Sequence, residues 1–267
     1  MGFARLPSAG LARPKENRMN RSTRVLSAAA LLTAAAFAGA WAPSRSGPPM
    51  VCNEVQVDSE HQSSIEKLPI TGADPIGHSL AALSASPDFF SHMEIVRRLC
   101  MNQQGHSDEV IHRLMQRVVD GEAVGKVGSN EWLDLAYAVG CFNQLGETEF
   151  KKGQSAPGER DGIPGYWYML RAINLESKES RGSASTLHFA AALLTHPIMA
   201  SDEQRRAEVD ERYRFHLREA VRGMSPGSLL EKNMQANLTS YQGAIERARK
   251  ELAAEGQAKD TTASSKK

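Results

Sequence analysis

The chain has 267 residues, 41% hydrophobic and 24% charged, with a formal net charge of +1 and three cysteines. Setting aside about 40 to 60 residues for targeting leaves roughly 200 for folding, a normal size for one domain with a substantial core. Six basic residues against Glu16 make the first 40 residues +5, so the remainder carries −4, which argues against a general nucleic-acid-binding surface.

From Met19 the chain runs MNRSTR, then an apolar stretch from Val25 to Ala40, then WAPSRSGPP. A basic start ahead of a short greasy segment closing in small residues is the layout of a signal peptide, assigned to 1–40. Ala38 and Ala40 satisfy the small-residue rule for cleavage before Trp41. The apolar run is shorter than the roughly 20 residues that span a bilayer, so no permanent transmembrane anchor is expected in the mature chain. The junction AGA-WAP, through Ala38, Ala40, Trp41 and Pro43, resembles the bipartite leader of proteins imported into complex red-lineage plastids. In that leader an aromatic residue follows the cleavage site within an Ala-x-Ala-Phe-x-Pro pattern; here Trp stands for Phe, and Arg45 is the one Arg in a stretch free of acids until Glu54. The resemblance implies a plastid of a red-lineage alga. The alternatives are a plain secretory signal or a mitochondrial presequence, which the Arg-rich start also suits.

Residues 41–74, rich in Ser, Pro and Gly and without sustained periodicity, read as transit-peptide remnant and linker. The helical domain is placed at 75–255. Ser86-Pro87-Asp88 supplies cap signals for a helix carrying Phe89, Met93, Val96 and Cys100, with Gly105 as its stop. After a cap at Ser107, Val110, Ile111, Leu114, Met115, Val118 and Val119 form a second stripe. Ser129 or Asn130 caps a third helix through Trp132, Leu135, Ala136, Val139 and Phe142, closing near Gly146. Beyond a turn-rich stretch from Lys151 to Gly165, helices resume over Tyr166–Leu175, Ser185–Leu194 and Ser201–Val221, the last opening on a Ser201/Gln204 capping box. Ser225-Pro226 starts one long amphipathic helix through Leu230, Met234, Leu238, Tyr241, Ile245, Ala248 and Leu252, and 256–267 reads as a disordered tail. No segment has the alternation of a strand, so the fold class is all-α, built of antiparallel helical hairpins as a bundle or a short array. Tyr137–Gly146 followed by Tyr168–Leu175, with small residues at Gly140 and Ala172, resembles the two halves of one tetratricopeptide repeat.

The motifs that carry chemistry have simpler explanations. Gly223-Met-Ser225-Pro226-Gly227 has the letters of a nucleophile elbow, but Pro226 has no N–H to offer an oxyanion, and helix punctuation explains each residue. Gly121-x-x-x-Gly125-Lys126 is one residue short of a phosphate-binding loop and is followed by Val127 where Ser or Thr would hold magnesium. Glu109-Val-Ile-His112 has the carboxylate–imidazole spacing of a di-iron helix, without the second copy such a site needs. Asn237-Leu-Thr239 is a glycosylation sequon inside an expected helix. Cys52, Cys100 and Cys141 lack both the density of a disulfide framework and the close pairing of zinc sites, so each is expected to stand alone, although the odd count allows one bridge.

No catalytic residue, metal ligand or cofactor is therefore assigned. The aromatic run Tyr166-Trp167-Tyr168 is the candidate partner-binding platform, with helix packing as the alternative. The expectation is a non-catalytic, organelle-targeted accessory subunit, assembly factor or scaffold that binds a protein partner or larger complex, and not nucleic acid. The alternatives are a pigment-, metal- or small-molecule-binding all-α enzyme with Glu109, His112 and His188 converging, and a secreted helical protein.

Overall fold

The computed structural model describes residues 50–69, 72–86, 88–147, 163–179, 184–196, 203–238 and 241–264, all within the compact unit Pro48–Lys267. The leader, the Ser201 cap position, Thr239 of the sequon and most of the 151–165 loop lie outside the described residues. The protein is all-α. Among the described residues a 3₁₀ turn at Met50–Cys52 precedes ten helices and there is no strand. The helices are α1 Ser59–Glu66, α2 Pro75–Ala85, α3 Phe89–Asn102, α4 Ser107–Ala123, α5 Ser129–Leu145, α6 Tyr166–Glu179, α7 Ala184–Leu194, α8 Glu203–Arg222, α9 Leu229–Asn237 and α10 Tyr241–Ser264.

Helix α5 is the centre of the molecule. Every residue from Trp132 to Phe142 is buried, because α3, α4, α6, α7 and the 3₁₀ turn all pack against it. Its start is fixed by Glu131, whose Oε2 accepts the Gly128 N–H at 2.9 Å, and its end by Gly146 in the left-handed region at φ 76°. The cap thus falls one residue before Ser129. Ser129 instead donates its hydroxyl to Glu176 Oε2 at 2.8 Å, which ties α5 to α6. At α3 the cap is Asp88, whose Oδ1 accepts from Ser91 N at 2.9 Å, while the Ser86 hydroxyl closes α2 by donating to Ala82 O. A carboxylate two residues on displaced the expected serine cap.

Three boundaries differ from the sequence reading. Residues 50–69, expected to be linker, belong to the fold: Val51, Cys52, Val55, Val57 and Ile65 are buried in the main core. The single long helix expected after Ser225 is two. Ser228, not Ser225, caps α9, Leu238 turns extended (φ −97°, ψ 122°), and α10 starts afresh at Tyr241. Asn237 lies at the break and donates from Nδ2 to Asn233 O at 3.0 Å and Glu54 O at 3.3 Å. Asn, Thr and Ser at 237, 239 and 240 prefer such local bonding to helix interiors. Finally, α10 continues to Ser264, through most of the segment expected to be disordered. Glu255 accepts from Arg218 at 3.0 Å and Arg222 at 2.9 Å, which joins α10 to α8 close to that boundary.

Candidate functional site

Tyr166, Trp167 and Tyr168 open α6, and the helix sends their side chains to different neighbours. Tyr168 is buried and stacks on Trp132 of α5, with ring centroids 5.9 Å apart at 19°. Trp167 is half-buried, meets Trp132 edge-on at 5.8 Å and carries the Arg171 guanidinium 4.7 Å above its ring. Tyr166 is buried on the other side, in a small cluster with Ile163 and Val209, beneath Arg212 at 5.2 Å. Of the three, Trp167 alone presents appreciable ring surface for a partner.

Tyr166 also begins a buried hydrogen-bonded chain. Its hydroxyl lies 2.8 Å from His216 Nε2 on α8, and His216 Nδ1 lies 2.8 Å from His188 Nδ1 on α7. One proton shared across each contact satisfies a phenol and two neutral imidazoles. Burial, with His188 and Arg212 nearby, lowers the His216 pKa to about 3, and burial likewise lowers that of His188. The half-exposed Phe215 covers both rings edge-on, at 5.0 and 5.9 Å. Glu109 and His112 do not join this group: both are exposed on α4, where Glu109 pairs with Arg113 at 3.2 Å. The convergence of Glu109, His112 and His188 is therefore not formed.

A second buried polar group joins α3, α4 and α5. His92 Nδ1 donates to Asp134 Oδ1 at 2.7 Å, its Nε2 to Ser86 O at 3.2 Å, and Arg117 Nη1 to Asp134 Oδ2 at 2.8 Å. Burial opposes the His92 cation, but the bond and charge of Asp134 outweigh it and the pKa is raised. Both ring nitrogens are used within the protein, so this arrangement braces three helices rather than holding out a free nitrogen to a substrate.

The cysteines do not stand alone. Cys52 Sγ lies 2.8 Å from Cys141 Sγ, while Cys100 lies beside Cys141 and directs its thiol to Ala138 O at 4.0 Å. All three are unbridged and buried. The intervals between them in sequence follow no motif, so only packing reveals the cluster. Among the described residues no group of three or more His, Cys, Asp or Glu side chains is arranged to hold a metal ion, and no helix is long and apolar enough to cross a membrane.

The outer face of α4 is the remaining feature of functional interest. Val110, Leu114 and Val118 are buried against the core, and beside them, at the same four-residue spacing, Ile111 and Met115 pack half-buried on its margin and lead to exposed Val119. Val119 is 48% exposed and Val124, just past the helix end, 66%. The helix packs chiefly on α5, which leaves this row at the edge of the molecule. No protein-family model, curated protein or solved structure matches the chain.

Proposed function

We propose that this protein is an organelle-targeted, non-catalytic helical subunit or scaffold, and that it binds a protein partner through the outer face of α4. The observation that carries the reading is the apolar row that runs from half-buried Ile111 and Met115 to exposed Val119 and Val124, on a helix held mainly by one neighbour. Apolar rows of this kind at i, i+4 and i+8 suit docking of a second helix, with apolar anchors contributing most of the affinity. The polar border, including the Glu109–Arg113 pair and Gln116 bonded to Asp120 at 2.7 Å, fits the rim of such a contact.

The leader supports delivery to an organelle, with a red-lineage plastid as the proposed destination. Burial of Val51 restricts its processing: the mature N-terminus belongs at or before Met50, since later cleavage would remove core side chains. The test is the native mass of the endogenous protein after gentle extraction, with mass spectrometry of its N-terminus and of the proteins migrating with it. Co-migration with an organelle assembly, lost in a Val119→Glu variant of unchanged thermal stability, is the expected result. A free monomer overturns the subunit reading, and a mature terminus at Trp41 in secreted material overturns the plastid destination.

A further inference from the structure

Cys52 ends the 3₁₀ turn and Cys141 lies near the end of α5, separated by 89 positions in sequence but by 2.8 Å between their sulfurs. That separation is closer than two unbonded thiols rest. It does not depend on the side chains alone, because the backbone around Cys52 is positioned by three contacts. Val51 N–H donates to Gln144 Oε1 at 2.9 Å, Arg97 Nη1 donates to Cys52 O at 3.3 Å, and Val55 N–H donates to Glu94 Oε2 at 3.0 Å. Arg97 and Glu94 are themselves joined twice, at 2.6 and 2.7 Å. The acceptors and donors sit on α3 and α5, so both elements hold the segment in the register that brings the sulfurs together.

We propose that Cys52 and Cys141 form a structural disulfide that fastens residues 50–57 to α5, acquired while the chain folds in the presence of a disulfide oxidant. The exchange is balanced. One cysteine, as its thiolate, attacks the oxidant's disulfide, forming a mixed disulfide and releasing one thiol. The second cysteine then attacks the protein sulfur of that mixed disulfide and expels the other thiol. Two protein thiols are oxidised, one small disulfide is reduced to two thiols, and the two cysteine protons pass to those products.

Timing follows from burial. Cys52 is 5% exposed and Cys141 fully buried, so the docked segment admits no oxidant. The contact with Cys141 together with burial holds the Cys52 thiol protonated, and Cys141 is held likewise by its contact with Cys100 and by burial. Exchange therefore belongs to the stage before the segment docks, and the finished bond is shielded from reductants while the segment stays docked and opens to them as the protein melts. The signal-peptide-like leader agrees with this, since disulfides persist along the secretory route. Cys100, although close to Cys141, is the spare thiol.

The test uses the full-length chain, unfolded with reductant, refolded in a buffer of oxidised and reduced glutathione, alkylated under denaturing conditions and mapped by mass spectrometry without reduction. Lys67, Arg98, Arg113 and Lys126 place the three cysteines in separate tryptic peptides, so each pairing has its own mass. The expected map is one linked pair, Cys52 with Cys141, and an alkylated Cys100. Reductant should lower the Tm of the refolded protein by on the order of 10 °C, as expected for a bond closing a loop of this length. Cys100→Ser should keep both results and Cys52→Ser should lose both. Three alkylated thiols in the refolded wild type, a bridge containing Cys100, or a reductant-insensitive Tm would each overturn the proposal. The wild-type map decides the matter even if Cys52→Ser fails to fold.

Discussion

Gly165 and Gly140 are both places where the chain passes too close to a neighbour for a side chain, yet they differ in what that neighbour is. Gly165 enters α6 at φ 82°, and a Cβ there would collide with the backbone carbonyl of Ala136 in α5. Gly140 has ordinary helical geometry, and a Cβ there would collide with Leu194 Cδ2, the tip of a side chain that can turn aside. Backbone in a packed helix cannot give in the same way, and the left-handed φ adds its own strain. Gly165→Ala should therefore cost about 2–4 kcal/mol and Gly140→Ala about 1 kcal/mol. Urea denaturation of the two variants checks the order; equal losses would mean that the α5–α6 approach is looser than the packing indicates. The same scale shows why Tyr166, Trp167 and Tyr168 differ in what they offer a partner. Consecutive helical residues point about 100° apart, so Tyr166 reaches α8 while Tyr168 reaches α5, and Trp167 is left at the edge.

The segment 50–57 acts as a strap across α3, α5 and α9 although it has no regular structure beyond one 3₁₀ turn. Asn233 on α9 holds it as a strand neighbour would: Oδ1 accepts Gln56 N–H at 2.7 Å, and Nδ2 donates to Gln56 O at 2.8 Å. Asn233→Ala leaves both Gln56 backbone groups without these partners and should destabilise by about 2 kcal/mol. Hydrogen exchange provides the check, with faster exchange expected at Val55 and Gln56 before global unfolding; unchanged protection there would mean that the strap is held by its valines alone. This element also marks the limit of what the sequence discloses. Helices such as α3 and α5 were legible because apolar stripes, caps and a terminal glycine agree locally. The strap offered only Val55-Gln56-Val57, a two-residue alternation too short to distinguish from linker, and its partners lie up to 183 positions away. The cysteine cluster and the Tyr166–His216–His188 chain were hidden for the same reason, since each is assembled from separate elements. The α9–α10 break left a fainter trace. Asn237, Thr239 and Ser240 are poor helix-interior residues in the sequence, but the apolar spacing continues through them, and periodicity alone reads one helix where the chain makes two.

At the scale of the whole molecule, the two buried histidine groups set opposing dependences of stability on pH. The folded-state pKa of His92 is raised, so its contribution is complete below the unfolded value near 6.5 and is lost as pH rises through the folded value. His216 behaves in the opposite sense. Its pKa falls to about 3 because burial, His188 and Arg212 all disfavour a cation there. The unfolded chain then binds the extra proton between pH 6.5 and 3, and the stability attached to a neutral His216 is complete above 6.5 and drains away on acidification. Over the two units from 6.5 to 4.5 the loss should reach about 2–3 kcal/mol, and His188, lowered in the same direction, adds to it. His216→Gln keeps a donor and an acceptor for Tyr166 and His188 but cannot titrate. Its stability at pH 7 can fall for reasons of packing, so the informative quantity is the slope: the variant should lose less stability than the wild type between pH 6.5 and 4.5. Urea denaturation at several pH values reads this directly, and parallel curves would show that the α6–α7–α8 junction accommodates a buried proton without penalty.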